Sequence, residues 1–141
     1  MSYKWNTRTE LLLGAERMEY LSHCHVLVVG LGGVGAYAAE QICRAGIGHM
    51  TIVDADTVND SNINRQLPAL HSTLGMQKAE VVGQRLLDIN PRLKLTILNE
   101  FLRDERTEEL LSAQKYDFIV DAIDSLSPKA YLLYHAYRRE I

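Results

Sequence analysis

Long apolar runs are missing from this chain. No stretch approaches the roughly 20 consecutive apolar residues that a membrane-spanning helix needs, and the start, Met1-Ser-Tyr-Lys-Trp-Asn6, has no apolar signal core. A soluble, cytoplasmic protein with no membrane partner is therefore expected. Cysteine is scarce: Cys24 and Cys43 are the only two, with no C-x-x-C spacing, and the five histidines are scattered without an H-x-x-x-H pattern. Both cysteines read as small core residues, and a zinc site has no support. Basic charge is not in surplus, since the formal net charge is −3. That gives no global attraction to nucleic acid or an anionic membrane, so an RNA partner would need a local basic patch. Low complexity, internal repeats and linkers are also lacking, and 141 residues with 47% hydrophobic content fit one domain with an ordinary core.

What is present begins with Val26-Leu-Val-Val-Gly-Leu-Gly-Gly-Val-Gly35, a buried strand feeding a glycine-rich turn and then a helix over about 34–45. Gly30 permits the tight turn, Gly32 keeps no side chain between backbone and phosphate, and Gly35 lets the helix pack closely. Backbone N–H groups at the positive end of the helix dipole favour an anion there without a lysine, and residues 30–35 contain none. An acidic end, Asp54-Ala-Asp56, follows on the next apolar stretch, where Asp54 is placed to accept hydrogen bonds from ribose hydroxyls. Together these predict a nucleotide site.

The remaining pattern alternates strands and helices. Thr7-Arg-Thr-Glu10 reads as a capping box opening one short amphipathic helix through Leu11, Leu12, Ala15 and Met18. Strands are expected at about 25–29, 50–54, 93–98 and 118–122, with helices at about 75–89, 106–113 and 127–140. Ala79, Val82, Leu86 and Ile89 form the buried face of the first of these, and Ser127-Pro128 supplies cap and first position of the last. The segment 57–72 is polar, irregular and too long for an ordinary βα connection. The fold class expected is α/β, a Rossmann-like doubly wound, mainly parallel sheet with helices on both faces and a short N-terminal helix in front. The last helix ends at Arg138-Arg-Glu-Ile141 where another strand should follow, so a truncated domain is expected.

Further polar clusters fall on the carboxyl edge of this sheet with the glycine turn: Asn62-Ile-Asn-Arg65-Gln66, Gln77-Lys78 and Asp121-Ala-Ile-Asp124. Arg65 and Lys78 could neutralise a triphosphate, and Asp124 could hold a magnesium ion bridging its oxygens. Each alone has a plainer reading: Arg65 as an exposed loop residue, Lys78 on a solvated helix face, Asp124 as a helix cap.

The set G-x-G-G-x-G at Gly30, Gly32, Gly33 and Gly35, D-x-D at Asp54 and Asp56, N-x-N-R-Q at Asn62 to Gln66, Q-K-A-E at Gln77 to Glu80, I-N-P at Ile89 to Pro91 and D-A-I-D-S at Asp121 to Ser125 resembles the ThiF/MoeB/HesA group. These are adenylating enzymes related to the ubiquitin-activating enzymes, and the likeness covers essentially the whole chain, residues 1–141, as an ATP-binding adenylation domain. The resemblance implies ATP and magnesium as cofactors, with Gly32 against the phosphates, Asp54 on the ribose, Asn62, Arg65 and Lys78 on the triphosphate, and Asp124 placing the metal. It further implies a homodimer in which Arg8 reaches the partner's nucleotide site. Within the group, Arg44-Ala-Gly-Ile-Gly48, Asn62-Ile-Asn-Arg-Gln66 and Asp121-Ala-Ile-Asp-Ser125 followed by Pro128-Lys129 resemble members that adenylate the threonylcarbamoyl group of a tRNA adenosine. Three other readings stay open: a ubiquitin-like sulfur-carrier protein as the client; an NAD-dependent oxidoreductase, since the glycine turn and Asp54 also satisfy a dinucleotide pattern; and a truncated chain that binds nucleotide or dimerises and does no chemistry.

Overall fold

The computed structural model describes residues 4–141. After a 3-10 turn at Lys4–Asn6, the order is α1 (Thr7–Leu13), α2 (Ala15–His23), β1 (His25–Val29), α3 (Gly35–Arg44), β2 (His49–Val53), α4 (Lys78–Ile89), β3 (Lys94–Leu98), α5 (Asp104–Ala113), β4 (Phe118–Asp121) and α6 (Leu126–Arg138). The four strands make one parallel sheet in the order β3-β2-β1-β4. From β1 the chain winds outward through β2 to β3, then crosses back to place β4 on the other side of β1. The direction of winding therefore reverses between β1 and β4, and a crevice opens there at the carboxyl ends.

Alternation along the strands splits the core in two. Val26 and Val28 of β1, with Met50 and Ile52 of β2, pack against Ala36, Ala39 and Cys43 of α3 and Ala79, Val82 and Leu86 of α4. Leu27, Val29 and Val53 point the other way, onto Leu110 and Leu111 of α5 and Leu132 of α6. Both faces of β1 are thus covered, which explains why it reads as an unbroken apolar run. The doubly wound α/β fold expected from the sequence is the one observed. Cys24 and Cys43 are buried free thiols, and burial pushes the Cys43 thiol up to about 11.

Several boundaries differ from the sequence-based expectation. The N-terminal helix is two helices, broken at Gly14, whose φ of 84° no continuous helix accommodates. Its cap is Asn6 rather than Thr7, which lies inside the helix, and no side-chain capping bond forms. The amphipathic face does not bury, because α1 packs chiefly on α2: Leu11 and Leu12 are 78% and 80% exposed. Helix α4 starts at Lys78 instead of Gly75, since Gly75 takes a φ of 80° and Gln77 is extended in a bridge to Thr57. Helix α6 has Ser125 at its N-cap position, without a side-chain capping bond, so Ser127 and Pro128 fall within its first turn, where a missing proline N–H costs nothing. The segment 57–72 carries two 3-10 turns, at Asp60–Asn62 and starting at His71.

Candidate functional site

At the carboxyl ends of β1, β2 and β4 lies a cleft of about 170 Å³. Its floor is the glycine turn. Gly30 has a φ of 93°, its N–H donates to the Val53 carbonyl at 2.9 Å, and a Cβ there would stand 2.5 Å from the Ala122 carbonyl oxygen. A Cβ on Gly35 would run into the Gly30 carbonyl. These two glycines are demanded by packing alone. Gly32 and Gly33 are not: a Cβ on either would meet nothing nearer than 3.6 Å. Their bareness leaves the backbone open at the start of α3, which has no side-chain cap to occupy its amino-terminal N–H groups.

Asp54, just beyond β2, ties the turn to the second strand. Its Oδ2 accepts the Leu31 N–H and its Oδ1 the Asp56 N–H, each at 2.7 Å. Carboxylate oxygens have further lone pairs, so the half-buried side chain remains able to accept from a ligand in the cleft. Lys78, at the first turn of α4, is the most deeply placed charge: its side chain is 7% exposed, and its Nζ stands 3.8 Å from Oδ2 of the open Asp56. Its N–H also donates to the Asp56 carbonyl at 2.9 Å. The plainer reading of Lys78 as a solvated helix residue does not hold.

Gln66 is buried and lines the cleft, with its Nε2 3.6 Å from where a Cβ of Gly32 would lie. Its Oε1 has no hydrogen-bond partner among the described residues. Asn62 is buried behind it and serves the loop, its Oδ1 accepting the Asn59 N–H at 2.9 Å. Arg65 is exposed beside Gly33, donating from Nη1 to the Ser61 carbonyl at 3.1 Å and the Asn64 Oδ1 at 2.9 Å. Asp124 lies open on the opposite wall. The structure thus gathers Gly30, Gly32, Asp54, Asp56, Gln66, Lys78 and Asp124 around one cleft. It leaves Gly33 and Arg65 beside it, and Gly35 and Asn62 as supports. Arg8 is exposed on α1, ahead of the amino end of β1, and does not line the cleft.

One wall was not anticipated. Residues Glu100 to Arg103, after β3, complete the cleft. Phe101 is 64% exposed, with the Arg103 guanidinium 5.8 Å from its ring centre, and Glu100 is fixed to Arg106 at 2.8 Å. The available signal was position alone, because loops at strand carboxyl ends are where ligands bind in such sheets. A larger cavity, about 240 Å³, lies at the amino edge between α2 and the Gly46–Gly48 turn. It lacks a glycine-rich turn opening a helix, and none of the clustered polar motifs reaches it.

Known proteins resemble this chain along essentially its whole length. The model of the ThiF family matches residues 3–141. The tRNA threonylcarbamoyladenosine dehydratase of Escherichia coli is 38% identical over 144 residues, covering 100% of this chain and 53% of that protein. Its Bacillus subtilis namesake is 38% identical over 135 residues, covering 96% and 53%. The molybdopterin-synthase adenylyltransferase of Escherichia coli is 36% identical over 109 residues, covering 77% and 43%. The solved structure of the Escherichia coli tRNA N6-threonylcarbamoyladenosine dehydratase in complex with ATP matches with a TM-score of 0.95 at 38% identity, over 98% of this chain and 56% of that one. The chain spans about half the length of the curated relatives it matches.

Proposed function

The chain belongs to the ThiF family, and from that premise we propose that it binds ATP with magnesium in the carboxyl-edge cleft and adenylates a carboxylate. The substrate favoured is the threonylcarbamoyl group of a tRNA adenosine, as the names of the similar dehydratases indicate. The observation that carries the nucleotide reading is the buried ammonium of Lys78 in the same cleft as the open backbone of Gly32. A dinucleotide site has no need of such a charge, whereas a triphosphate does.

In this reading the N–H groups at the start of α3 hold phosphate, Asp54 accepts from the ribose hydroxyls, and Lys78 leaves Asp56 to meet the triphosphate. Arg65 swings from Ser61 and Asn64 onto the outer phosphates. Asn62 acts by shaping the loop that carries Arg65 and Gln66. The substrate carboxylate oxygen attacks the α-phosphorus in line, forming an acyl-adenylate and expelling pyrophosphate; a heteroatom of the adjoining carbamoyl group then attacks the activated carbonyl, closing the ring as the bond to AMP breaks and a proton is released. Positioning and charge neutralisation carry such a step, and no covalent nucleophile from the protein is required.

Asp124 fits a magnesium ion. Among the described residues its carboxylate has no hydrogen bond or ion pair, and no three metal-ligating side chains cluster, so the cation would be held by one carboxylate together with ligand phosphates, a usual arrangement for magnesium. The ion would supply charge neutralisation at the phosphates. Arg8, exposed on α1, is proposed to act in the cleft of a second copy, making the working form a homodimer. No described helix is long and apolar enough to cross a membrane, and the cytoplasm is the compartment proposed.

Likeness to a molybdopterin-synthase adenylyltransferase supports a second client, a ubiquitin-like carrier protein. ATP–pyrophosphate exchange separates the two. Exchange that depends on threonylcarbamoylated tRNA is the expected result, exchange with a carrier protein instead would transfer the assignment to that client, and exchange with neither would contradict adenylation by this chain.

A further inference from the structure

Asp121 and Lys129 stand outside the roles given above, yet they hold the wall from which Asp124 projects. Asp121 ends β4, which among the described residues is an edge strand paired with β1. Its side chain is 10% exposed, its Oδ2 accepts from Lys129 Nζ at 2.6 Å, and its Oδ1 accepts the Ile123 N–H at 3.1 Å. On the other side of the same wall, the Ala122 N–H donates to the Val29 carbonyl at 2.9 Å, and the Ala122 carbonyl closes on bare Gly30. Residues 122 and 123 are therefore wedged between the glycine turn and an ion pair rooted in the first turn of α6. Asp124 follows with no hydrogen bond or ion pair of its own among the described residues, so its position is set by this wedge and by the start of α6 at Leu126.

We propose that Lys129 is a positioning residue for the nucleotide cleft: through Asp121 it fixes the wall that carries Asp124, and it cancels a second carboxylate charge beside the phosphate site. The proposal rests on the nucleotide reading above. Without Lys129, the Asp121 side chain, 10% exposed, loses the partner that ties it to α6, and removing one member of a buried pair destabilises the structure around the other. A neutral partner at 121 relieves the same problem without restoring the lysine, and this makes charge separable from mere packing.

The test measures MgATP affinity by calorimetry and amide hydrogen exchange over 122–125 without nucleotide, in wild type, K129M, K129R and D121N/K129M, with thermal midpoints as a folding control. K129M is expected to weaken MgATP about tenfold, the scale of coupling between side chains in contact, and to speed exchange at Ile123 and Asp124. K129R should bind like wild type, and D121N added to K129M should regain most of the lost affinity. Unchanged binding and exchange in K129M would overturn the proposal, as would a loss that D121N fails to repair while the thermal midpoint falls in step. Faster exchange in K129M, in a protein whose wild type does not bind MgATP, would support the clamp and overturn the nucleotide reading instead.

Discussion

The two ends of the same parallel sheet are built to opposite purposes. At the amino end, backbone and rings close on one another: Gly48 N–H meets the Leu21 carbonyl at 3.2 Å, the His25 imidazole bonds to Thr51 Oγ1 at 2.8 Å, and its ring lies 4.6 Å from that of Tyr116. At the carboxyl end, polar groups are left facing a gap. The amino end has the larger cavity, about 240 Å³ against 170 Å³, yet the smaller one collects the glycine turn, a helix amino terminus, a buried lysine and an open carboxylate. Size does not mark the site. Direction does, because every strand of a parallel sheet delivers its following loop, and the positive end of its following helix, to one edge.

Glycine substitutions should break this contrast most sharply. Gly30→Ala must displace the Ala122 carbonyl and adopt a φ of 93°, so a cost of about 3 kcal/mol or more and loss of the MgATP thermal shift are expected. Gly14→Ala has a comparable φ of 84° but nothing within 4 Å, and with a ψ of 157° should cost about 1–3 kcal/mol from backbone strain alone, with the nucleotide shift kept. Chemical denaturation of both variants, with and without MgATP, checks the pair. Equal losses would mean that the turn is not specially constrained.

Next come the side chains. Asp54→Ala should abolish the thermal shift given by MgATP, Lys78→Ala should remove most of it, and Arg65→Ala should reduce it least, in keeping with its exposed position beside the cleft. Glu10→Ala, in the amino-edge cavity, should leave the shift intact. A response to NAD equal to that for ATP would reassign the cleft.

The smallest expected effect is one of pH, and it belongs to the amino end. Burial lowers the His25 pKa, the neighbouring His49 lowers it further, and burial likewise lowers that of His49. A histidine depressed in the folded state takes its proton on unfolding, so stability is full above the ordinary value of about 6.5 and falls as pH drops below it. Denaturation midpoints at neutral and mildly acidic pH should therefore differ, and His25→Gln should flatten the difference. Removing Glu40 should not, since its pKa is held down by Arg85 and acts only in more acidic solution.

The sheet was legible in the sequence because strands buried on both faces have little choice of composition, as Val26 to Val29 show. The glycine turn was legible because close backbone approach excludes side chains, and Asp54 because it stands at the end of the second apolar strand beside that turn, where its carboxylate accepts the Leu31 N–H. Pairings between distant elements were not. Nothing in local spacing tells that Lys129 would reach back to Asp121, that Asp56 would partner Lys78, or that Phe101 and Arg103 would form a wall. Gly14 was absorbed into a helical pattern because its neighbours carry that period, while its own backbone angle breaks the helix. Ser127-Pro128 looked like a cap and first position, yet the helix starts earlier, with Ser125 at the N-cap position and no side-chain capping bond, since a proline is tolerated anywhere in a first turn.

The most direct test is to record backbone amide NMR shifts on titration with MgATP. Binding at the carboxyl edge predicts that the changes concentrate at residues 30–35, 54–56, 66, 78 and 122–125, while residues 46–48 at the amino edge stay still. Changes centred on Gly46 to Gly48, or the same carboxyl-edge pattern produced by NAD at equal concentration, would contradict it.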